Sequence, residues 1–344
     1  MSKNIEISVI LPVYNGEEHL LAVLDSIFGQ GVELEVVAVD DGSTDSTLKL
    51  LREYSKNTPA LRVISFPENK GVAAARDAAL KASVGKYLAF CDSDDVLPSG
   101  AYRALLSSAE GKDVAIGAYL NVGEDGVASD IYKPNGGTLL SALFFVSCLW
   151  NKLISRDFVN SAGLSFDADM TIGEDVVFLA HLTKASPSYA VTDSLVYAHR
   201  LREGSLIHTY TAAAFEKHIE CRQRLIDILK TREAEDFVYT EFSGFLKDFL
   251  LRMEGGELES AFDKYRSFML EYDYLGNDSL LFSIVGIPRE SFVRISAREY
   301  IGALANTPPR ERVLAEYYSG GIGLRWIVKF FFAWLKYKLS KLKK

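Results

Sequence analysis

Cysteine is scarce in this chain: three residues in 344, Cys91, Cys148 and Cys221, widely separated and odd in number. They form neither a metal-ligand spacing nor a disulfide framework, so a reducing cytosol is expected. Long apolar runs are missing as well. No stretch reaches about 18 uncharged apolar residues, which argues against a spanning helix. The opening Met-Ser-Lys-Asn-Ile-Glu-Ile has no basic region followed by an apolar core, so no signal peptide is expected. A basic excess is absent too. The formal net charge of -8 leaves no surplus of Lys and Arg to neutralise a phosphate backbone, and no nucleic-acid partner is expected. Neither Gly-x-Gly-x-x-Gly nor Gly-x-x-x-x-Gly-Lys-Ser/Thr occurs, which disfavours a Rossmann dinucleotide site and a P-loop.

What is present is an alternation of short apolar runs and amphipathic stretches. Ile5–Leu11, Leu34–Val39, Leu61–Phe66, Tyr87–Cys91 and Val114–Tyr119 read as strands, the last returning through a Gly123–Gly126 turn. Glu17–Phe28, Thr44–Tyr54 and Gly71–Ala82 have helical spacing. Strands alternating with helices of this length predict βαβ units and a mostly parallel sheet. Ligands of such sheets bind beyond the carboxyl ends of the strands. Tyr14, Asp40-Asp41 and Asp92-Ser93-Asp94-Asp95 all fall just past strand ends, so they are expected to converge on one crevice.

The acidic run Asp92–Asp95 concentrates carboxylates where a buried strand emerges. A hard divalent cation held by one or two of them, with phosphate oxygens completing its shell, would make that charge tolerable. Asp41 can accept a hydrogen bond from a base or ribose, and Tyr14 offers a face for a nucleobase. Lys70 and Arg76, around a helix start, suit an anionic ligand. In Thr171-x-x-Glu174 a capping box is expected, with Glu174 satisfying a helix-start donor. That would leave Asp175 for proton transfer, its pKa lowered by the positive helix end. His199, Arg200, Arg202 and Ser205 form a loop suited to diphosphate contact, with His199 a metal or phosphate ligand or a structural residue.

Taken together, Ser8–Asn15, Val39–Asp45, Asn69–Arg76, Asp92–Asp95, Trp150–Lys152, Gly173–Asp175 and Arg202–Ser205 resemble glycosyltransferase family 2. The order and spacing match over about residues 5–208. The resemblance implies the GT-A fold, a Rossmann-like, mostly parallel α/β sheet flanked by helices, and an inverting nucleotide-sugar transferase of the bacterial surface-polysaccharide type. It implies that Pro12, Tyr14 and Asp41 hold the nucleobase of a UDP-sugar and that Asp92 or Ser93 meets ribose or diphosphate. Asp94 would ligate Mn2+ or Mg2+, Asp175 would be the base, and Arg200 or Arg202 would meet the diphosphate. The acceptor would be a hydroxyl of a glycan or a lipid-linked sugar.

Three rivals fit less well. A nucleotidyltransferase would need an early Gly-rich triphosphate loop, which Pro12–Gly16 is not. An inactive sugar-nucleotide-binding scaffold could dispense with Asp94 and Asp175, yet both are there. A processive synthase pairs such a domain with spanning helices. The expected organisation is a transferase domain over 1–210, a helical region over 211–321 and a basic amphipathic tail over 322–344. That tail has seven Lys or Arg, no acid, and Trp326, Phe330, Phe331 and Trp334 on one face. It reads as a helix lying on an anionic membrane surface, which would make the protein cytoplasmic and peripheral.

Overall fold

The alternating strands and helices assemble into one sheet in a computed structural model, which describes residues 5–123, 125–134, 136–201, 210–271 and 289–304. The strands are β1 (Ile7–Val13), β2 (Leu34–Asp40), β3 (Leu61–Ser65), β4 (Tyr87–Phe90), β5 (Val114–Val122), β6 (Lys152–Ser155) and β7 (Tyr189–Arg200). Their order is β3-β2-β1-β4-β6-β5-β7. Only β6 runs against its neighbours, pairing antiparallel with both β4 and β5, while the remaining pairs are parallel. The carboxyl ends of β1, β2, β4, β5 and β7 therefore share one edge.

Every residue of β1 and β2 is buried, as expected of parallel strands covered on both faces. Val9, Leu11, Val36 and Ala38 face a core shared with α1 (Leu20–Phe28) and α4 (Ala101–Ser108). Across the other face lies α3 (Val72–Ala82), against β1 and β2. Pro12 is buried within β1 and tolerated because β4 has already ended: its last pair with β1 is Ile10 with Phe90. No neighbour there requires an N–H from residue 12. The remaining helices of this part are α2 (Thr47–Asn57), α5 (Leu139–Leu143), α6 (Arg156–Ser161) and α7 (Glu174–Lys184).

The turn after β5 closes as expected, with the Gly126 N–H donating to the Gly123 carbonyl at 2.9 Å. Its return arm makes isolated bridges, Tyr132 with Tyr119 and Ala128 with Val122, and β5 takes β6 and β7 as its partner strands.

Contacts divide the chain near residue 205 into two units. Beyond that point the described structure is helical, with α8 (Ala212–Leu229), α9 (Arg232–Phe237), a π-helical turn (Val238–Phe242), α10 (Ser243–Leu251), α11 (Gly255–Glu271), α12 (Arg289–Phe292) and α13 (Ala297–Leu304). Thr211 caps α8 and Thr231 caps α9, each hydroxyl accepting from the N–H three residues on. Phe262, Tyr265, Phe292 and Tyr300 form the aromatic core of α11–α13. No described helix is long and apolar enough to cross a membrane. The tail over 322–344 lies outside the described residues.

Candidate active site

The crevice floor is built by the loops after β1 and β2, which are laced together. Asn15 takes a left-handed backbone conformation, its N–H donating to Ser43 Oγ at 3.0 Å and its Oδ1 accepting from the Thr44 N–H at 2.8 Å. The N–H of Gly16 donates to Thr47 Oγ1, that of Glu17 to Asp45, and that of Ser46 back to Glu17. Burial raises the pKa of Asp45, but the hydrogen bonds from Thr47 and Glu17 outweigh it and hold this carboxyl below its ordinary range. Gly42, at a φ of 69°, must be glycine, because a Cβ would collide with the main chain of Glu68 and Asn69.

Asp41 is buried, with Oδ1 accepting from the Lys70 N–H at 2.7 Å and Oδ2 from the Gly71 N–H at 2.9 Å. It thus anchors the loop into α3, and each oxygen keeps a further lone-pair direction. Tyr14 stands above, 48% exposed. Lys70 is exposed and its ammonium lies over the Phe66 ring.

The acidic loop leaves β4 beside the Gly16 turn; a Cβ on Gly16 would stand 3.5 Å from Ser93 Oγ. Asp92, Ser93 and Asp94 are half-buried and Asp95 is buried. Arg200, closing β7, donates its N–H to Asp95 Oδ1 at 2.6 Å and its Nε to the Asp94 carbonyl at 3.1 Å. Burial, with the Asp92 charge behind it, pushes Asp95 up to about 8. The preceding His199 pairs its Nδ1 with Asn121 Oδ1 at 3.1 Å and stacks on Trp150. Desolvation lowers its pKa and the Asp92 and Asp94 charges only partly restore it, so the imidazole is neutral.

Arg76 differs from the sequence expectation. It is 7% exposed, with Nη2 on Asp92 Oδ1 at 2.8 Å and Nη1 on Glu174, so it joins two carboxylates instead of facing a ligand. Glu174 is corrected in the same way. It is the first residue of α7 after Gly173, where a capping box would need it in the third position, and its carboxylate goes to Arg76. Glu174 is therefore a buried support and not a group presented to substrate. The third correction concerns Asp175. Its Oδ1 accepts from the Val176 N–H at 2.8 Å, as a helix-start acid does. Yet desolvation, then the Glu174 charge, raise it to about 7 against the pull of Arg76. Burial outweighs the helix end.

Substituting Arg76→Met would leave Glu174 buried without its cation. The expected loss is about 3 kcal/mol, the lower end for a broken buried pair because Asp92 is partly solvated. Thermal or denaturant unfolding measures it.

Behind the site, Lys152 is fully buried and its ammonium meets three acceptors: the carbonyls of Val146 and Cys148 and Oδ1 of Asn151, at 3.0, 2.7 and 2.8 Å. Burial pulls its pKa down to about 7. The lysine pins the turn that delivers Trp150, whose ring stacks on Tyr197 at 4.4 Å.

Among the described residues no three His, Cys, Asp or Glu side chains cluster as a closed metal cage. A Mn2+ or Mg2+ ion held partly by substrate phosphates needs only one or two protein ligands. Asp94 and a neutral His199, oriented through Nδ1 by Asn121, fit that donor set. Arg202 and Ser205 lie outside the described residues.

This sheet order and this crevice are those of the GT-A fold. The chain matches, over residues 8–145, the family model described as glycosyl transferase family 2. It is similar to an uncharacterized glycosyltransferase, EpsJ of Bacillus subtilis, at 26% identity over 62% of this chain and 66% of that one. It is also similar to the minor teichoic acid biosynthesis protein GgaB of the same organism, at 26% over 70% of this chain and 28% of that one. A further relative is the poly(ribitol-phosphate) beta-glucosyltransferase of Bacillus spizizenii, at 25% over 67% and 38%. The chain thus spans less than two thirds of each of these relatives, from just under that for EpsJ to under a third for GgaB. Among solved structures, S. aureus TarS 1-349 in complex with UDP-GlcNAc superposes with a TM-score of 0.69 at 23% identity, covering 92% of both chains.

Proposed function

We propose that this protein is an inverting glycosyltransferase that moves a sugar from a UDP-sugar to a hydroxyl of a glycan or lipid-linked acceptor, with residues 1–210 as the transferase domain. The observation that carries the reading is the Arg76 bridge. It ties the acidic loop after β4 to the first turn of α7, and so places the Asp175 carboxyl beside the loop suited to a donor diphosphate.

In this reading Tyr14 stacks on the base against Pro12, and a spare lone pair of Asp41 accepts the imide N–H. Asp92 and Ser93 meet ribose and diphosphate, and Lys70, Arg200, Arg202 and Ser205 supply charge and hydrogen bonds to the phosphates. Asp175 takes the proton of the acceptor hydroxyl as its oxygen bonds to the anomeric carbon. The bond to the diphosphate oxygen breaks on the opposite side, and UDP leaves with that electron pair. A single displacement inverts the anomeric centre. Asp94 and His199 would hold Mn2+ or Mg2+, which when bound would neutralise charge growing on the diphosphate.

The teichoic acid and poly(ribitol-phosphate) names of two relatives support a surface-polymer acceptor. The tail over 322–344 supports a place on the inner membrane face. Each Lys or Arg near an anionic leaflet contributes about 1 kcal/mol, so cosedimentation with anionic vesicles should weaken at high salt and vanish when 322–344 is deleted. Vesicle binding that survives the deletion would sink that placement.

The test of the activity is a panel of UDP-, GDP- and dTDP-sugars assayed for hydrolysis and thermal stabilisation with Mn2+ or Mg2+. A UDP-sugar is expected to stand out. A chain that neither turns over nor is stabilised by any of them is not this enzyme.

A further inference from the structure

The acidic loop carries a fourth residue, Asp95, to which the donor chemistry assigns no role. Asp95 is 1% exposed, and so is its partner Tyr197 wholly enclosed. The Tyr197 hydroxyl donates to Asp95 Oδ2 at 2.7 Å and accepts from the Asp92 N–H at 3.1 Å. Asp95 Oδ1 accepts from the Arg200 N–H at 2.6 Å. Val96 and Ala198 then form an antiparallel bridge, with N–H to carbonyl distances of 3.4 and 3.2 Å. The loop is thereby stitched, residue by residue, to the end of β7.

From this arrangement we infer that Asp95 and Tyr197 are positioning residues for the donor: they lock the acidic loop to the end of β7, so that Asp94 and His199–Arg200 meet the diphosphate as one preformed surface. Closing a sheet edge does not require a carboxylate. Burying a carboxyl costs free energy that a Leu would not, and among the described residues two hydrogen bonds to its oxygens offset it. What the carboxylate adds is direction, since it fixes two donors arriving from one strand. The stack of Tyr197 on Trp150, at an interplanar angle of 12°, aims the hydroxyl at Asp95 and the Asp92 N–H, with Cys91 Sγ farther off at 3.9 Å. Binding a flexible anion to a surface already ordered avoids the cost of ordering it at the moment of binding.

The inference rests on the donor reading above, and the experiment separates the two. UDP binding is measured by calorimetry with saturating Mn2+ for the unaltered protein, Tyr197→Phe, Asp95→Asn and the double variant, alongside donor KM and kcat. Tyr197→Phe keeps ring volume and stacking, so it remains informative if Asp95→Asn folds poorly. Each single variant should weaken UDP by about tenfold, the effect of one or two lost hydrogen bonds. Donor KM should rise while kcat at saturating donor stays within about threefold, and the double variant should be little worse than the weaker single one. If UDP affinity is unchanged in Tyr197→Phe while its unfolding midpoint falls, the pair merely holds the sheet and the inference is wrong. If the unaltered protein does not bind UDP with Mn2+, the donor reading fails and takes this one with it.

Discussion

Asp175→Asn is expected to retain UDP-sugar affinity while lowering turnover by about 10²–10⁴, the usual contribution of a positioned general base. The amide keeps the size of the side chain and can still accept from the Val176 N–H, so the start of α7 survives. What it cannot do is take a proton. The pH dependence supplies a second signature. With its carboxyl raised to about 7, the free enzyme holds Asp175 half-protonated near neutrality. The protonated form is inactive, so kcat/KM should fall about tenfold per pH unit below that value and level off above it. Glu174→Gln removes the charge that helps raise Asp175, and it leaves Arg76 pulling harder on the neighbouring carboxyl. Its acidic limb should therefore move to lower pH while turnover at alkaline pH persists. A pH limb that survives in Asp175→Asn, or full turnover in that variant, assigns the base elsewhere.

Asp94→Ala is expected to abolish transfer and the metal-dependent part of nucleotide binding while the protein stays folded. The Asp94 main-chain carbonyl accepts from the Arg200 Nε, so the seam to β7 keeps that bond in the variant. Circular dichroism and the unfolding midpoint should change little, since a half-buried surface-loop carboxylate contributes little to stability. Calorimetry of UDP with and without Mn2+ should show a metal-dependent gain in the unaltered protein and none in the variant. Activity insensitive to a chelator in the unaltered protein would remove the metal assignment altogether.

The strands that read most clearly were those with apolar residues at every position. β1 and β2 carry the signature of burial on both faces, and their ends could be placed within a residue or two. β6 escaped because Lys-Leu-Ile-Ser is short and opens on a lysine, which normally argues against a central strand. Only the three acceptors around its ammonium make Lys152 tolerable there, and none could be known before the turn that supplies them was in place. The convergence of Tyr14, Asp41 and Asp92–Asp94 on one edge followed from topology alone. Which carboxylates are spent on holding the fold did not. Arg76 and Glu174 are 98 residues apart, and Tyr197 and Asp95 are 102, and no local pattern announces such pairs. The capping box at Thr171–Glu174 failed for a related reason. A local hydrogen bond competed with a buried guanidinium, and the ion pair prevailed: without Glu174, Arg76 would keep the partly solvated Asp92 alone of its two carboxylates, which is costlier than an uncapped helix end.

The lacing of Asn15–Glu17 onto Ser43–Thr47 also bears on how this fold can be recombined. Each partner in that seam is matched to a hydroxyl, amide or carboxylate on the other loop, so neither segment carries its own instructions. A chimera that imports residues 14–17 without an Asn at 15 and a Glu at 17 leaves the N–H groups of Thr44 and Ser46 with no acceptor opposite. One that imports 14–17 together with 43–47 brings the whole module. In this scaffold the two loops are a single unit of exchange, although a helix and a strand separate them along the chain.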